Sequence, residues 1–224
     1  MRSTRRATIR SMPNHKAVEQ YLTQCLAQTN LSIDEAACRG LVHYVELLVQ
    51  WNRAYNLTSI RDPMEIVRRH ILDSLVILPY LYGTRLLDLG TGAGLPGMIL
   101  AIARPDVECV LLDGNGKKTR FCIQAAMALG LLNVEVLCER VEKYTPEILF
   151  STVTARAFGH LSVLWNHAQR LLVPRGRLLA MKGTVQEAGS STALKGKTSK
   201  TPTMIALTVP DLAAERHLMI VEHE

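Results

Sequence analysis

One stretch constrains this chain more than any other. Leu86-Leu87-Asp88-Leu89-Gly90-Thr91-Gly92-Ala93-Gly94-Leu95-Pro96-Gly97 is an apolar run that breaks into alternating glycines before an apolar helical pattern resumes. Glycine reaches positive φ without a Cβ clash and lets another molecule come close to the backbone. A strand feeding such a turn and then a helix places the turn at the carboxyl edge of a parallel sheet, beside a helix N-terminus. That is a ligand-binding geometry. Three alternating glycines are more than a bend in the chain needs.

The pattern downstream of Thr84 agrees. Strands are predicted over Arg85–Leu89, Val107–Leu112, Val134–Cys138, Ser151–Ala155 and Arg177–Met181, with helices over Gly94–Ala103, Lys117–Leu129 and Leu161–Leu172 between them. Alternating strand and helix imply a mostly parallel sheet covered on both faces. Two closing strands, Met204–Val209 and His217–Val221, form a hairpin and bring the sheet to about seven strands. Residues 84–224 are therefore one α/β domain, with a flexible, hydrophobe-poor loop over 184–203.

Residues 14–83 read as a helical segment. Ala17, Tyr21, Leu22 and Cys25 recur at helical spacing, and Ser32 with Glu35 suggests a capping box before a long helix ending near Trp51. Asp62-Pro63 starts another helix, and Asn56 suits a turn cap. The chain has 224 residues, enough for one such domain and this segment. No apolar run approaches the roughly 20 residues of a membrane span; the longest, Leu75–Tyr82, contains Pro79. Cys25, Cys38, Cys109, Cys122 and Cys138 form no close pair and are expected as buried thiols.

Five of the six excess positive charges precede the first acid, Glu19: Arg2, Arg5, Arg6, Arg10 and Lys16. Residues 1–13 are expected to be a disordered basic arm of a cytoplasmic protein. Lys195, Lys197 and Lys200 form a second basic patch. Such segments suit a polyanionic partner, or serve only as solubilising tails.

Asp113 ends the second strand, 23 residues after Gly90, where a carboxylate can accept from ribose hydroxyls. The turn should then hold a nucleoside-containing cofactor. Gly92-x-Gly94-x-x-Gly97 fits a dinucleotide fingerprint. Against it stand Asp88 two residues before Gly90, Pro96 within the turn, and too little chain for a second mononucleotide half. The form Asp88-x-Gly90-x-Gly92-x-Gly94 resembles S-adenosylmethionine-dependent methyltransferases.

The resemblance then narrows. Trp51-Asn52-Arg53-Ala54-Tyr55-Asn56-Leu57-Thr58, Arg69-His70-Ile71-Leu72-Asp73-Ser74-Leu75, the glycine turn, Leu111-Leu112-Asp113, Arg140-Val141-Glu142, Ala155-Arg156-Ala157-Phe158, Met181-Lys182-Gly183 and Glu215-Arg216-His217-Leu218 occur in the order of the glucose-inhibited division protein B family. Those proteins are bacterial small-subunit ribosomal RNA guanine N-7 methyltransferases. The chain departs from the family in its Arg-rich extension, in 187–203, in a fourth strand that opens without an acid, and in Ala155 where a hydroxyl residue is usual.

The resemblance implies a Rossmann-like class I fold, S-adenosylmethionine as cofactor, and 16S ribosomal RNA or a 30S precursor as partner; the sequence itself is silent on oligomeric state, and a monomer is the default. It implies that Gly90, Gly92 and Leu95 line the methionine end of the cofactor, that Asp113 holds the ribose, and that Val141 and Glu142 flank the adenine. Arg156 would lie beside the methyl donor and position the base, or form an ion pair with Asp88 or Asp113. Arg53, Arg61, Arg69 and Lys182 are candidates for RNA phosphates. Phe158 is read either as a stacking platform or as a core residue. His70 and Asp73, three apart on one helix, read as a surface hydrogen-bonded pair, and no metal is expected. The competing functions are an NAD-dependent oxidoreductase and a non-catalytic RNA-binding assembly factor.

Overall fold

A computed structural model describes residues 15–183 and 201–224. The basic arm, the patch at Lys195, Lys197 and Lys200, and residues 184–200 of the expected loop lie outside the described residues.

Seven strands form one sheet in the order β3-β2-β1-β4-β5-β7-β6. They are β1 (Arg85–Leu89), β2 (Glu108–Leu112), β3 (Val134–Leu137), β4 (Phe150–Arg156), β5 (Leu172–Lys182), β6 (Thr203–Ala206) and β7 (His217–Glu222). The first five run parallel, and β7 is antiparallel to both β5 and β6. β1 is flanked by β2 on one side and β4 on the other, so the strand order reverses there. In open α/β sheets such a reversal opens a crevice beyond the carboxyl ends of the strands.

The pleat of β1 sorts its side chains. Leu87 and Leu89 join a core cluster with Leu164 and Trp165 of α7 (Leu161–Ala168). Leu86 faces the other way, against Leu100 and Ala101 of α5 (Gly97–Ala103). Each fully buried leucine of this kind contributes about 1.5–3 kcal/mol through loss of wetted apolar surface.

The second face also carries α6 (Gly116–Leu129) and the N-terminal helices α1 (His15–Leu26) and α2 (Glu35–Tyr55). One continuous core cluster runs from Val18 and Leu41 through Ile71 to Leu95, Met98 and Phe121. After α2 the chain enters α3 (Pro63–Ile66), a π-helical stretch over Val67–Leu72, and α4 (Asp73–Leu75).

Several boundaries differ from the sequence expectation. The long helix is capped by Asp34, whose Oδ1 accepts from Ala37 N at 2.7 Å, and not by a Ser32–Glu35 box. The aspartate at the position directly before Glu35 reaches the orphan amide, while Ser32 stands two residues too early. The helix expected from Gly94 begins at Gly97, because Gly90, Gly92 and Gly94 all hold positive φ and the turn runs on through Pro96. β6 opens at Thr203, inside the expected loop. Asn56 ends α2 at φ 49°, the turn role expected of it. Cys25, Cys109 and Cys122 are buried, Cys38 is half-buried and Cys138 is exposed.

Candidate active site

The glycine turn is tied down by an acid that never meets solvent. Asp88 is fully buried; its Oδ2 accepts from Thr91 Oγ1 at 2.6 Å and Gly97 N at 2.8 Å, and its Oδ1 from Thr154 Oγ1 at 3.1 Å. Burial pushes this carboxyl up to about 6, against the three donors and the Arg156 guanidinium, which favour the charged form. Gly90 N and Thr91 N both donate to Leu112 O, at 2.8 and 3.1 Å, so the turn rides on the end of β2. A Cβ at Gly97 would lie 2.3 Å from Leu111 Cδ2, which fixes glycine where α5 meets the sheet.

Asp113 sits at the end of β2 and accepts from Gly92 N and Asn115 N, both at 2.8 Å. A carboxylate has about four acceptor positions, so two bonds leave capacity for a ribose diol. Gly90, Asp113, Val141, Glu142 and Phe158 all line one crevice of about 640 Å³. Val141 is buried, its carbonyl accepting from the Arg170 guanidinium. Glu142 is exposed, with His167 Nε2 at 3.9 Å. Gly92 and Leu95 are not among the residues lining the crevice; Leu95 is buried, and its amide donates to Thr91 O at 2.8 Å.

A second cavity, of about 750 Å³, opens on the other side of the segment that follows β4. Phe158 lines the crevice, whereas Ala157 and Gly159 line the larger cavity. Positive φ at Ala157 and Gly159 shapes this wall. Lys182 is buried and pins it, donating from Nζ to Gly159 O at 2.6 Å and Phe158 O at 3.4 Å. Its ammonium thus holds the wall in place from the lining of the larger cavity. Arg69 is exposed at the cavity rim and paired with Glu65; Arg61 is exposed and donates to Asn56 Oδ1; Arg53 is exposed in the last turn of α2.

Arg156 ends β4 and turns into the larger cavity. Its Nη1 donates to Arg69 O at 3.2 Å and to Asp73 Oδ2 at 3.4 Å, and lies 3.3 Å from His70 Nδ1. This corrects the expected ion pair with Asp88 or Asp113. Asp88 is taken up by Thr91, Gly97 and Thr154, and Asp113 by two backbone amides. It also corrects the reading of His70 and Asp73 as a surface pair: both are buried, at 7% and 3% exposure, and both face Arg156. Nε2 of His70 meets Thr58 Oγ1 at 2.9 Å. Burial, then the Arg156 charge, lowers the His70 pKa to about 4, so the ring is neutral.

Two contributors escaped the sequence reading. Arg216, before β7, donates from Nε to Asp73 Oδ1 at 2.7 Å. Tyr44 of α2 donates its hydroxyl to Ala93 O at 2.6 Å, inside the glycine turn. Only the motif Glu215-Arg216-His217 signalled the first, and a polar tip on an apolar helix face was the single clue to the second. Among the described residues no three His, Cys, Asp or Glu side chains cluster as a metal site, and no helix is long and apolar enough to cross a membrane.

Comparison with known proteins agrees with this architecture. A SAM-dependent methyltransferase from Aquifex aeolicus superposes with a TM-score of 0.55 at 17% identity, over 73% of this chain and 99% of that one. A SAM-dependent O-methyltransferase from Thermotoga maritima gives 0.54 at 14% identity, over 67% and 64%. In sequence, the ribosomal RNA small subunit methyltransferase G of Nitrosococcus oceani is 46% identical over 90% of this chain and 93% of its own length. That of Alkalilimnicola ehrlichii is 48% identical over 84% and 85%. The profile of the GidB family, described as rRNA small subunit methyltransferase G, matches residues 37–219. A class I methyltransferase sheet, a crevice at its switch point and relatives aligned over nearly their whole length lead to one conclusion: the chain belongs to the rRNA small subunit methyltransferase G family.

Proposed function

We propose that this protein transfers a methyl group from S-adenosylmethionine to N-7 of a guanine in 16S ribosomal RNA. The observation that carries the reading is the wall at 157–159, with a nucleoside-sized crevice on one side and a basic cavity on the other. A donor in the first and a base in the second would meet at the end of β4.

The residues present suit the donor. Asp113 would hold the ribose, Val141 and Glu142 would flank the adenine, and the backbone around Gly90, Gly92 and Leu95 would hold the methionine end. A Cβ at Gly90 would come within 3.3 Å of the Phe158 ring, so this position is shaped for close approach. When bound, S-adenosylmethionine supplies a methyl group already activated by its sulfonium charge.

The protein's own work is orientation. Guanine N-7 has an in-plane lone pair and no proton, so no general base is required. Positioning of reacting partners alone can remove roughly 7–11 kcal/mol of a barrier. Arg156 binds a phosphate or the guanine O6 and fixes the base. The methylated imidazole ring is cationic, so the guanidinium does not sit over it. Arg53, Arg61 and Arg69 meet RNA phosphates, and Lys182 holds the wall. We infer further that the enzyme acts in the cytoplasm as a monomer on 16S rRNA or a 30S precursor, with 84–224 as the methyltransferase domain and 14–83 as its helical companion.

Incubation of 16S rRNA and 30S particles with labelled donor tests the reading. It expects label in 7-methylguanosine on digestion. Label on another base or on protein overturns it. Stabilisation against heat by NADH, with none by S-adenosylhomocysteine, would point to the oxidoreductase instead.

A further inference from the structure

The larger cavity is rimmed by two guanidinium groups that share one buried acid. Asp73 begins α4, directly after the π-helical stretch, and its side chain is 4% exposed. Arg216 Nε donates to Oδ1 at 2.7 Å and Arg156 Nη1 to Oδ2 at 3.4 Å. The two arginines come from distant parts of the chain: Arg156 ends β4, and Arg216 directly precedes β7. Both are about four-fifths covered, with side chains 22% and 21% exposed. Both line the cavity with Lys182.

One carboxylate cannot neutralise two guanidinium groups. Among the described residues, Asp73 is the one acid within ion-pair distance of either arginine. His70, 3.3 Å from Arg156, is neutral and offsets nothing. The cavity wall therefore keeps an excess positive charge, partly desolvated, in a space of about 750 Å³. Each guanidinium has five N–H donors in a planar fork, matched to phosphate oxygens. Asp73 takes one donor from each.

We propose that Asp73 is a positioning residue that sets Arg156 and Arg216 as a two-guanidinium clamp for a backbone phosphate of the target nucleotide. This rests on the RNA methyl-transfer reading above. A buried acid in a site that must attract an anion lowers raw affinity. Its value lies in geometry, because two long cations left without it repel each other and scatter over rotamers. Asp73 also passes the shape of the π-helical stretch to residues 83 and 143 positions away.

Asp73→Asn renders the cavity more positive, so simple attraction expects tighter RNA binding and undiminished turnover. Positioning expects the opposite for catalysis. In the full-length protein, with 30S particles and labelled donor, Asp73→Asn should lower single-turnover methylation about tenfold or more. S-adenosylhomocysteine affinity should stay within about twofold by calorimetry. Adding Asp73→Asn to Arg216→Gln should cost little beyond Arg216→Gln alone, because both break one unit.

Guanosine 5′-monophosphate should inhibit the wild type better than guanosine, and Arg216→Gln should shrink that preference. Unchanged or faster methylation by Asp73→Asn overturns the proposal, as does a parallel loss of cofactor affinity. Should Asp73→Asn fail to fold, the two inhibitors decide, and an unchanged preference in Arg216→Gln overturns the clamp. Absence of guanine methylation by the wild type would instead sink the functional reading; direct binding of guanosine 5′-monophosphate against guanosine by calorimetry, in wild type and Arg216→Gln, then decides the clamp separately.

Discussion

The Tyr44 hydroxyl donates to the Ala93 carbonyl at 2.6 Å, across a fully buried contact between the second helix and the glycine turn. The N-terminal segment thus shapes the glycine turn directly. Tyr44→Phe leaves a buried carbonyl without its donor, which costs about 1–3 kcal/mol. Denaturant unfolding should register that loss, with weaker binding of S-adenosylhomocysteine by calorimetry. Equal stability and equal affinity would remove Tyr44 from the site.

Arg156→Ala removes the group proposed to position the base and leaves Asp113 and the glycine turn untouched. Single-turnover methylation should fall ~100-fold, the scale of a small misplacement of reacting groups. Cofactor affinity should change by no more than about threefold by the same measure. A larger loss of cofactor binding than of chemistry would assign Arg156 to the other side of the wall.

Asp88 and His70 push acid stability in opposite directions. The folded-state pKa of Asp88 is raised from 3.8 to about 6, so the folded protein holds the extra proton between those values, and stability from this group falls as pH rises through that window. The His70 pKa is lowered from 6.5 to about 4, so the unfolded chain holds the extra proton there, and stability from His70 falls as pH drops from 6.5 to 4. Over the shared range the two slopes, each up to about 1.4 kcal/mol per pH unit, oppose each other. Asp88→Asn should therefore steepen the loss of stability between pH 6 and 4, and His70→Gln should flatten or reverse it. Chemical denaturation at stepped pH reads both, and identical slopes in all three proteins would refute the pairing.

Gly97 and Gly130 separate two reasons for glycine. Gly97 has no positive φ, but a Cβ there would fall 2.3 Å from Leu111 Cδ2 and 2.8 Å from the Asp88 side chain. Gly130 has φ +65 with nothing within 4 Å. Gly97→Ala should cost about 1–3 kcal/mol or more through overpacking. Gly130→Ala should cost about 1 kcal/mol through backbone strain alone. Thermal unfolding that ranks them the other way would contradict the packing around Asp88.

The sheet was legible because its signals are local: apolar runs of strand length, a glycine turn, and an acid at the end of β2. The same locality explains Asp113 and the turn beneath it. Asp73 and His70 were misread because ordinary helical spacing put them on a surface face, whereas the π-helical stretch over Val67–Leu72 changes the rotation per residue and carries both inward. The partner of Arg156 was misassigned because the nearest acids in the motif are already satisfied by Thr91, Gly97, Thr154 and two amides. Arg216 reaches the site from across the hairpin, a distance no periodicity encodes.

The link between Asp73 and Arg216 spans 143 residues. During synthesis the first helices emerge long before the strand that completes their pocket. The pairing of Asp73 with Arg216 therefore forms only after the hairpin has been made. On the clamp proposal, a product cut short before this hairpin would present its glycine turn without Arg216 to grip a nucleotide phosphate.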